Sequence, residues 1–162
     1  MMKKRNYVHK MLFLLLAASL SFACFAQNPD FSGKWKLNES ESKMGGEYSF
    51  APLEITIEQE GNKMTTTRLN EFQGEQRERT SSYNLDGTDS KNEGFQGSEI
   101  ISVATWNEKA LKIVTEIEMQ NGGELTITAV YSMKGEKLVI NNAMEGGPMG
   151  GGDPETWVYD KQ

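Results

Sequence analysis

Leu111–Met133 reads LKIVTEIEMQNGGELTITAVYSM, two runs in which apolar and polar residues alternate, joined by a short glycine-containing turn. A period of two is the signature of a strand with one buried flank. The turn decides how the two strands face each other. A two-residue turn would set Leu125, Ile127, Ala129, Tyr131 and Met133 on the face opposite Leu111, Ile113, Ile117 and Met119, because one residue of slip inverts every side chain. A three-residue turn, Asn121-Gly122-Gly123, keeps both apolar sets on one face and pairs Ile117 with Ile127 and Ile113 with Tyr131. Glycine at its left-handed position makes that turn inexpensive. The segment is therefore an antiparallel hairpin with an apolar flank and a polar one.

The same alternation continues in both directions. Strands are expected near Gly33–Asn38, Leu53–Gln59, Lys63–Phe72, Glu75–Leu85, Thr88–Lys91, Glu99–Trp106, Leu111–Gln120, Glu124–Met133, Glu136–Asn142 and Glu155–Lys161. No helical periodicity of useful length interrupts them. Gly61-Asn62 reads as a two-residue turn, placing Ile57 level with Thr66 and Ile55 level with Arg68. Lys134-Gly135 reads as another, placing Tyr131 beside Leu138. So many short strands with one apolar face each call for an all-β fold: an up-and-down antiparallel β-barrel of about 8–10 strands. In such a meander the tight turns at Gly61-Asn62, Asp86-Gly87, Asn107–Ala110 and Lys134-Gly135 fall at one end. The longer connections Glu39–Pro52, Asn92–Ser98 and Ala143–Pro154 fall at the other. A sealed end and a loop-rimmed mouth describe a cup. The glycine run at 146–152 is either a lid carrying Met144 and Met149 or a plain connection.

The first residues read differently. Lys3, Lys4, Arg5 and Lys10 precede an apolar run, Met11–Ala23, which ends in Cys24-Phe25-Ala26. That is the pattern of a secretory signal peptide, residues 1–26, leaving one domain over 27–162. The apolar run is too short for a comfortable membrane span. Ser21-Phe22-Ala23-Cys24 also resembles a bacterial lipoprotein box, which would attach the chain to a membrane through acyl groups on Cys24. The expected location is thus exported, periplasmic or extracellular. Of the 162 residues, 136 lie beyond the signal and carry thirteen basic and 23 acidic side chains, a formal charge of −10. Bulk attraction to nucleic acid is excluded by that sign. The sole cysteine and the sole histidine, Cys24 and His9, both precede residue 27. No Cys or His nucleophile, triad or zinc set is available beyond it. Carboxylate pairs such as Glu116/Glu118 face outward. The expectation is a non-enzymatic protein with no catalytic residue, metal site or cofactor.

The inward face collects Phe31, Trp35, Leu37, Ile55, Ile57, Ala104, Trp106, Leu111, Ile113, Ile117, Trp157 and Tyr159. One hairpin breaks the apolar rule. A turn at Gln73-Gly74 aligns Met64 with Tyr83, Thr66 with Ser81, Arg68 with Arg79 and Asn70 with Arg77. Since Met64 and Tyr83 mark the inner face, Arg68, Arg77 and Arg79 share it. Facing like charges repel, and an unpaired buried guanidinium is costly. Either an anionic group of a ligand lies among these arginines, for which their planar forks are suited, or the hairpin stands wide of the core and they pair with Glu71, Glu75 or Glu78 in water.

Phe31-Ser32-Gly33-Lys34-Trp35-Lys36-Leu37 is similar to the opening Gly-x-Trp strand of lipocalins and fatty-acid-binding proteins, the calycin superfamily. Ile55–Asn62, Ala110–Ile113, Lys137–Ile140 and Thr156–Lys161 resemble later strands of a fatty-acid-binding barrel. The resemblance implies a secreted bacterial lipocalin-like domain that binds a small hydrophobic or amphipathic molecule. It also implies departures. Glu39–Phe50 is too short for the two-helix lid of that family. Its last strand carries Arg-x-Tyr for the fatty-acid head group, and here the run is Trp157-Val158-Tyr159, which keeps the tyrosine and lacks the arginine. The ligand-binding residues expected are therefore Arg68, Arg77 and Arg79 for an anionic group, and Ile55, Ile113, Ile117, Ile127, Tyr131 and Tyr159 for the apolar part. The alternative is a barrel filled by its own side chains, acting as a protein-interaction module through the loops Glu39–Phe50 and Ala143–Pro154.

Overall fold

The computed structural model describes residues 28–45, 49–72, 74–94, 97–119, 123–147 and 152–162. Residues 1–27, 46–48, 73, 95–96, 120–122 and 148–151 lie outside them, and with them the expected signal peptide, most of the expected Asn121-Gly122-Gly123 turn and Met149 of the glycine run. Ten strands form one antiparallel sheet: β1 (Gly33–Leu37), β2 (Glu54–Glu60), β3 (Lys63–Phe72), β4 (Glu75–Asn84), β5 (Asp89–Glu93), β6 (Glu99–Asn107), β7 (Ala110–Glu118), β8 (Glu124–Lys134), β9 (Lys137–Gly146) and β10 (Glu155–Lys161). Their order is β4-β3-β2-β1-β10-β9-β8-β7-β6-β5, every neighbour pair antiparallel. The first strand thus meets the last, and the sheet wraps into the expected up-and-down barrel, nearly closed between its two ends, β4 and β5. Among the described residues no helix is long and apolar enough to cross a membrane.

Alternation explains why each strand forms. In β7 Leu111 and Ile113 are buried while Lys112 and Glu116 are exposed, and β2 repeats the pattern with Ile55 and Ile57 between exposed Glu54 and Glu58. Registers of the hairpins β2–β3 and β3–β4 are those expected, including Ile55 opposite Arg68 and Arg68 opposite Arg79. Two other hairpins slide by two residues. In β7–β8 Ile117 faces Leu125 and Leu111 faces Tyr131. In β8–β9 Tyr131 faces Ile140, and Gly135, with φ of 64°, follows the Lys134–Lys137 pair. An even slip preserves which face each side chain takes, so the inner set survives. β9 also runs four residues past Asn142, to Gly146. The start of β8 would otherwise leave a row of unpaired peptide groups. At its end Gly146 adopts φ of 82°, and a Cβ there would run into the Glu124 carbonyl, so the crossing admits glycine alone.

The tight turns gather at one end, which is sealed. Phe31, fully buried, lies across it with its ring centroid 5.8 Å from Trp106 and 6.1 Å from Tyr131. Trp35 Nε1 donates to the Phe31 carbonyl at 2.9 Å. Gln59 holds the approach to this plug, accepting from Phe31 N–H at 3.3 Å and donating to the Pro29 carbonyl at 3.2 Å. Below the plug, Met64, Tyr83, Leu111, Leu138 and Ile140 complete a packed core.

At the opposite end, residues 38–45 and 49–53 of the β1–β2 connection lie on the β1–β10 side. Asn38 N–H donates to the Val158 carbonyl at 2.8 Å, and Lys43 forms an isolated bridge with Thr156. Buried Glu155 ties the connection down twice more. Its carboxylate accepts from Gly45 N–H at 2.7 Å and from Ser49 Oγ at 3.1 Å, and also from Trp157 Nε1 at 2.6 Å. Tyr159 Oη donates to the Pro52 carbonyl at 3.1 Å.

Candidate functional site

The two halves of the inner wall differ. On β7 and β8, Leu111, Ile113, Ala129 and Tyr131 are buried, whereas Ile117, Leu125 and Ile127, on the same face nearer the loops, are half-exposed. Met144, opposite Ile127, is also half-exposed. On β4 every residue from Glu75 to Thr80 is exposed, on both faces. Side chains are therefore fully buried toward the sealed end and only partly buried toward the loop end, the open half. An apolar wall of Ile117, Leu125, Ile127 and Met144 belongs to the open half. The two concavities of about 390 and 460 Å³ elsewhere lie on the outer wall, beside β1 and β10 and beside β2 and β3.

Arg68 stands at the boundary between the halves. Its residue is half-buried overall, yet Nε is enclosed and has no hydrogen-bond partner. One terminal nitrogen, Nη2, donates to Tyr131 Oη at 2.6 Å and makes a long contact with Tyr83 Oη at 3.5 Å. Desolvation disfavours the guanidinium charge, but the phenol oxygens of Tyr131, Tyr83 and Tyr159 more than offset it, and the pKa rises. The group is a fixed cation. Burial likewise pushes the Tyr131 phenol up, with Arg68 pulling it partly back. Tyr159 is raised by its burial and by its neighbour Tyr131. No carboxylate hydrogen-bonds or ion-pairs with Arg68 among the described contacts. Two residues earlier on the same inner face, Thr66 Oγ1 is buried and also lacks a partner. Buried polar groups are nearly always satisfied, so Arg68 Nε and Thr66 Oγ1 stand out as two buried polar atoms on one strand face with no protein partner.

Placement of the other residues singled out from the sequence is mixed. Ile55, Ile113, Tyr131 and Tyr159 are buried, with Ile55 opposite Arg68 in the β2–β3 ladder and Tyr131 bonded to it, and Ile117 and Ile127 belong to the open half. The expectation that all three arginines share the interior needs correction. Arg77 and Arg79 hold the aligned register positions but are exposed. Arg77 pairs with Glu75 at 3.0 Å, both side chains being mostly in solvent, and Arg79 Nη2 donates to the Glu93 carbonyl of β5 at 2.6 Å. The core simply does not extend that far along β4. Sequence reasoning did not single out Tyr83 or Thr66 for the site, nor the inward polar residues Ser90 and Asn92 of β5. Their one signal was polar residues at inward positions of a short strand.

The nearly closed, ten-stranded up-and-down barrel has the fold of lipocalin-like and fatty-acid-binding-protein-like barrels. Solved structures bear the likeness out at the level of fold. The zebrafish ileal bile acid-binding protein complexed with cholic acid aligns with a TM-score of 0.57 at 16% identity, covering 82% of this chain and 98% of that one. A fatty acid transporter, REP1-NXSQ, aligns at 0.54 and 13%, covering 81% and 95%. Apo lipid binding protein 8 of Caenorhabditis elegans aligns at 0.54 and 12%, covering 82% and 95%. No protein-family model matches the sequence, and no curated protein matches it.

Proposed function

We propose that this chain is a non-enzymatic carrier for a small amphipathic molecule with an anionic head group. The head group binds at Arg68, and the apolar part lies along Ile113, Ile117, Ile127 and the neighbouring wall. The observation that carries the reading is the Arg68 guanidinium, close to three tyrosines at the floor of the open half, with Nε unpartnered and no carboxylate bonded to it among the described residues. Charge-assisted bonds from a planar fork to a carboxylate or sulfonate are about twice as strong as neutral ones. Each buried methylene of the tail adds roughly 0.8 kcal/mol. Bile-acid and fatty-acid binding by the fold neighbours supports the same ligand chemistry. Export, with loss of residues 1–26, belongs to the proposal and rests on the basic and apolar pattern of those residues.

The test is titration with an anionic, environment-sensitive naphthalene sulfonate dye, followed by displacement with long-chain carboxylates. Saturable uptake at one site is expected, with a loss of affinity of at least tenfold in Arg68→Met. Absence of uptake, or equal affinity in Arg68→Met, overturns the reading.

A further inference from the structure

β4 and β5 are the two ends of the sheet order, and among the described residues no backbone ladder joins them. Side chains close the edge instead. Asn92 lays its amide along Ser82: Oδ1 accepts from Ser82 N–H at 2.8 Å, and Nδ2 donates to the Ser82 carbonyl at 3.0 Å. The side chain thereby imitates a peptide unit of a partner strand. Ser90 Oγ accepts from Asn84 N–H at 2.8 Å, and Asn84 Nδ2 donates to the Asp89 carbonyl at 2.9 Å. Arg79 adds its bond to the Glu93 carbonyl. A ladder is broken only by moving a strand, whereas each of these bonds yields to a change of rotamer. The seam is the part of the wall that opens at least cost. It lies one strand away from Arg68, since β3 pairs directly with β4.

The inner face of β4 beside the seam carries Arg79, opposite Arg68, and then Arg77, opposite Asn70. Both are exposed. Arg77 shares its charge with Glu75 in a pair at 3.0 Å that is mostly in solvent, while Arg79 has no carboxylate bonded to it among the described contacts, so the two arginines line the way from the rim to the buried guanidinium in a chain whose net charge is −6. Such a chain repels anions in bulk, so local cations decide where one approaches. At Arg79 an arriving anion competes with a neutral carbonyl, and the charged acceptor is the stronger partner. The opposite rim is held down by Glu155, Ser42, Lys43 and Tyr159.

We propose that the β4–β5 seam is the passage by which the anionic amphiphile reaches the interior, with Arg77 and Arg79 receiving its anionic group before Arg68 takes it. This rests on the binding reading above.

Stopped-flow fluorescence with the naphthalene sulfonate dye and an uncharged naphthalene dye of similar size separates the two. In Arg77→Gln/Arg79→Gln the anionic dye should associate about threefold to tenfold more slowly at low salt, with the difference shrinking as salt rises. The uncharged dye should not share that slowing. Asn92→Ala unzips the seam and should speed association and dissociation of both dyes several-fold by similar factors, leaving affinity nearly unchanged. Should that variant not fold, Asn92→Asp keeps the acceptor for Ser82 N–H and loses the donor, and the uncharged dye should then show the same acceleration to a smaller extent. Wild-type rates in the Arg77/Arg79 and Asn92 variants, alongside lost binding in Arg68→Met, would overturn the passage and leave the interior site standing. Equal slowing of both dyes in the arginine double variant would overturn the receiving role of Arg77 and Arg79. No uptake of either dye by the wild type would remove both proposals.

Discussion

Arg68 makes the interior of this barrel chemically uneven. A buried cation is retained at a cost unless its donors are matched, and here Tyr131 and the distant Tyr83 oxygen match only part of the fork. Replacing it with an apolar side chain of similar length removes the unsatisfied Nε but takes away the donor to Tyr131 Oη. These effects oppose each other. Arg68→Met should leave stability in urea unchanged or raise it by up to about 2 kcal/mol, while losing the anionic dye; a stability loss above that size would mean the arginine is structural. The tyrosines add a pH dependence of definite sign. Burial raises the folded-state pKa of Tyr131 and of Tyr159 above the ordinary value of about 10. Their contribution is complete below that value. Above it the unfolded chain releases phenol protons that the folded chain keeps, so stability falls as pH rises. Denaturation midpoints measured from pH 8 to about pH 11 should decline, and Tyr131→Phe/Tyr159→Phe should flatten the decline. The inward position of Arg68 was legible because turn length and alternation together set the register of β3 and β4. The exposure of Arg77 and Arg79 was not, because alternation tells which face a side chain takes and says nothing of how far along a strand the core continues.

At the scale of elements, the strands were readable to within a residue or two where they are amphipathic, and the two slipped hairpins show what limits the rest. Any even shift satisfies the apolar pattern equally, so the choice between registers passes to turn geometry, which is weakly encoded in Asn-Gly-Gly or Lys-Gly-Glu. The extension of β9 was hidden for a related reason: Ala143–Gly146 lacks the composition of a strand and is recruited by the unpaired half of β8. The β1–β2 connection was legible only as a segment too short for two helices. Its attachment depends on Glu155, whose two carboxylate oxygens accept from three donors, two on the connection and one on β10. An amide at that position keeps one acceptor oxygen and turns donors toward donors. Glu155→Gln should therefore cost about 1.5–3 kcal/mol in chemical denaturation, with the sheet spectrum unchanged by circular dichroism. At the sealed end, Trp35→Ala removes both a buried indole and the bond to the Phe31 carbonyl, and should cost about 3–5 kcal/mol. A loss below 1 kcal/mol there would show that the plug does not hold the barrel shut.

For the molecule as a whole, the division into a filled half and an open half reconciles the cup with the filled barrel. Phe31, Trp106 and Tyr131 occupy the sealed end as a filled barrel requires, and Ile117, Leu125 and Ile127 are only partly buried, the side of the wall a cup would use. It also implies that stability is unevenly spread round the wall. Opposite the seam, β8 and β9 share a ladder of ten residue pairs from Leu125–Gly146 to Lys134–Lys137. Opening that ladder breaks many bonds at once and exposes the core. Opening the seam frees the amides of Ser82 and Asn84, which are bonded to side chains, and exposes little. Local opening free energies in one protein run from near zero to the global value. Hydrogen exchange in the ligand-free protein should therefore begin at Ser82 and Asn84 and end at core amides of β8 and β9 such as Ala129 and Ile140. Ligand at about a hundred times its dissociation constant adds about 2.7 kcal/mol to global stability, so the slow amides should slow roughly a hundredfold. The seam amides should slow by much less, since they open without unfolding the site. If Ser82 and Asn84 instead exchange as slowly as Ala129, the wall has no weak side, and a molecule reaching Arg68 must come past the loops that Glu155 holds in place.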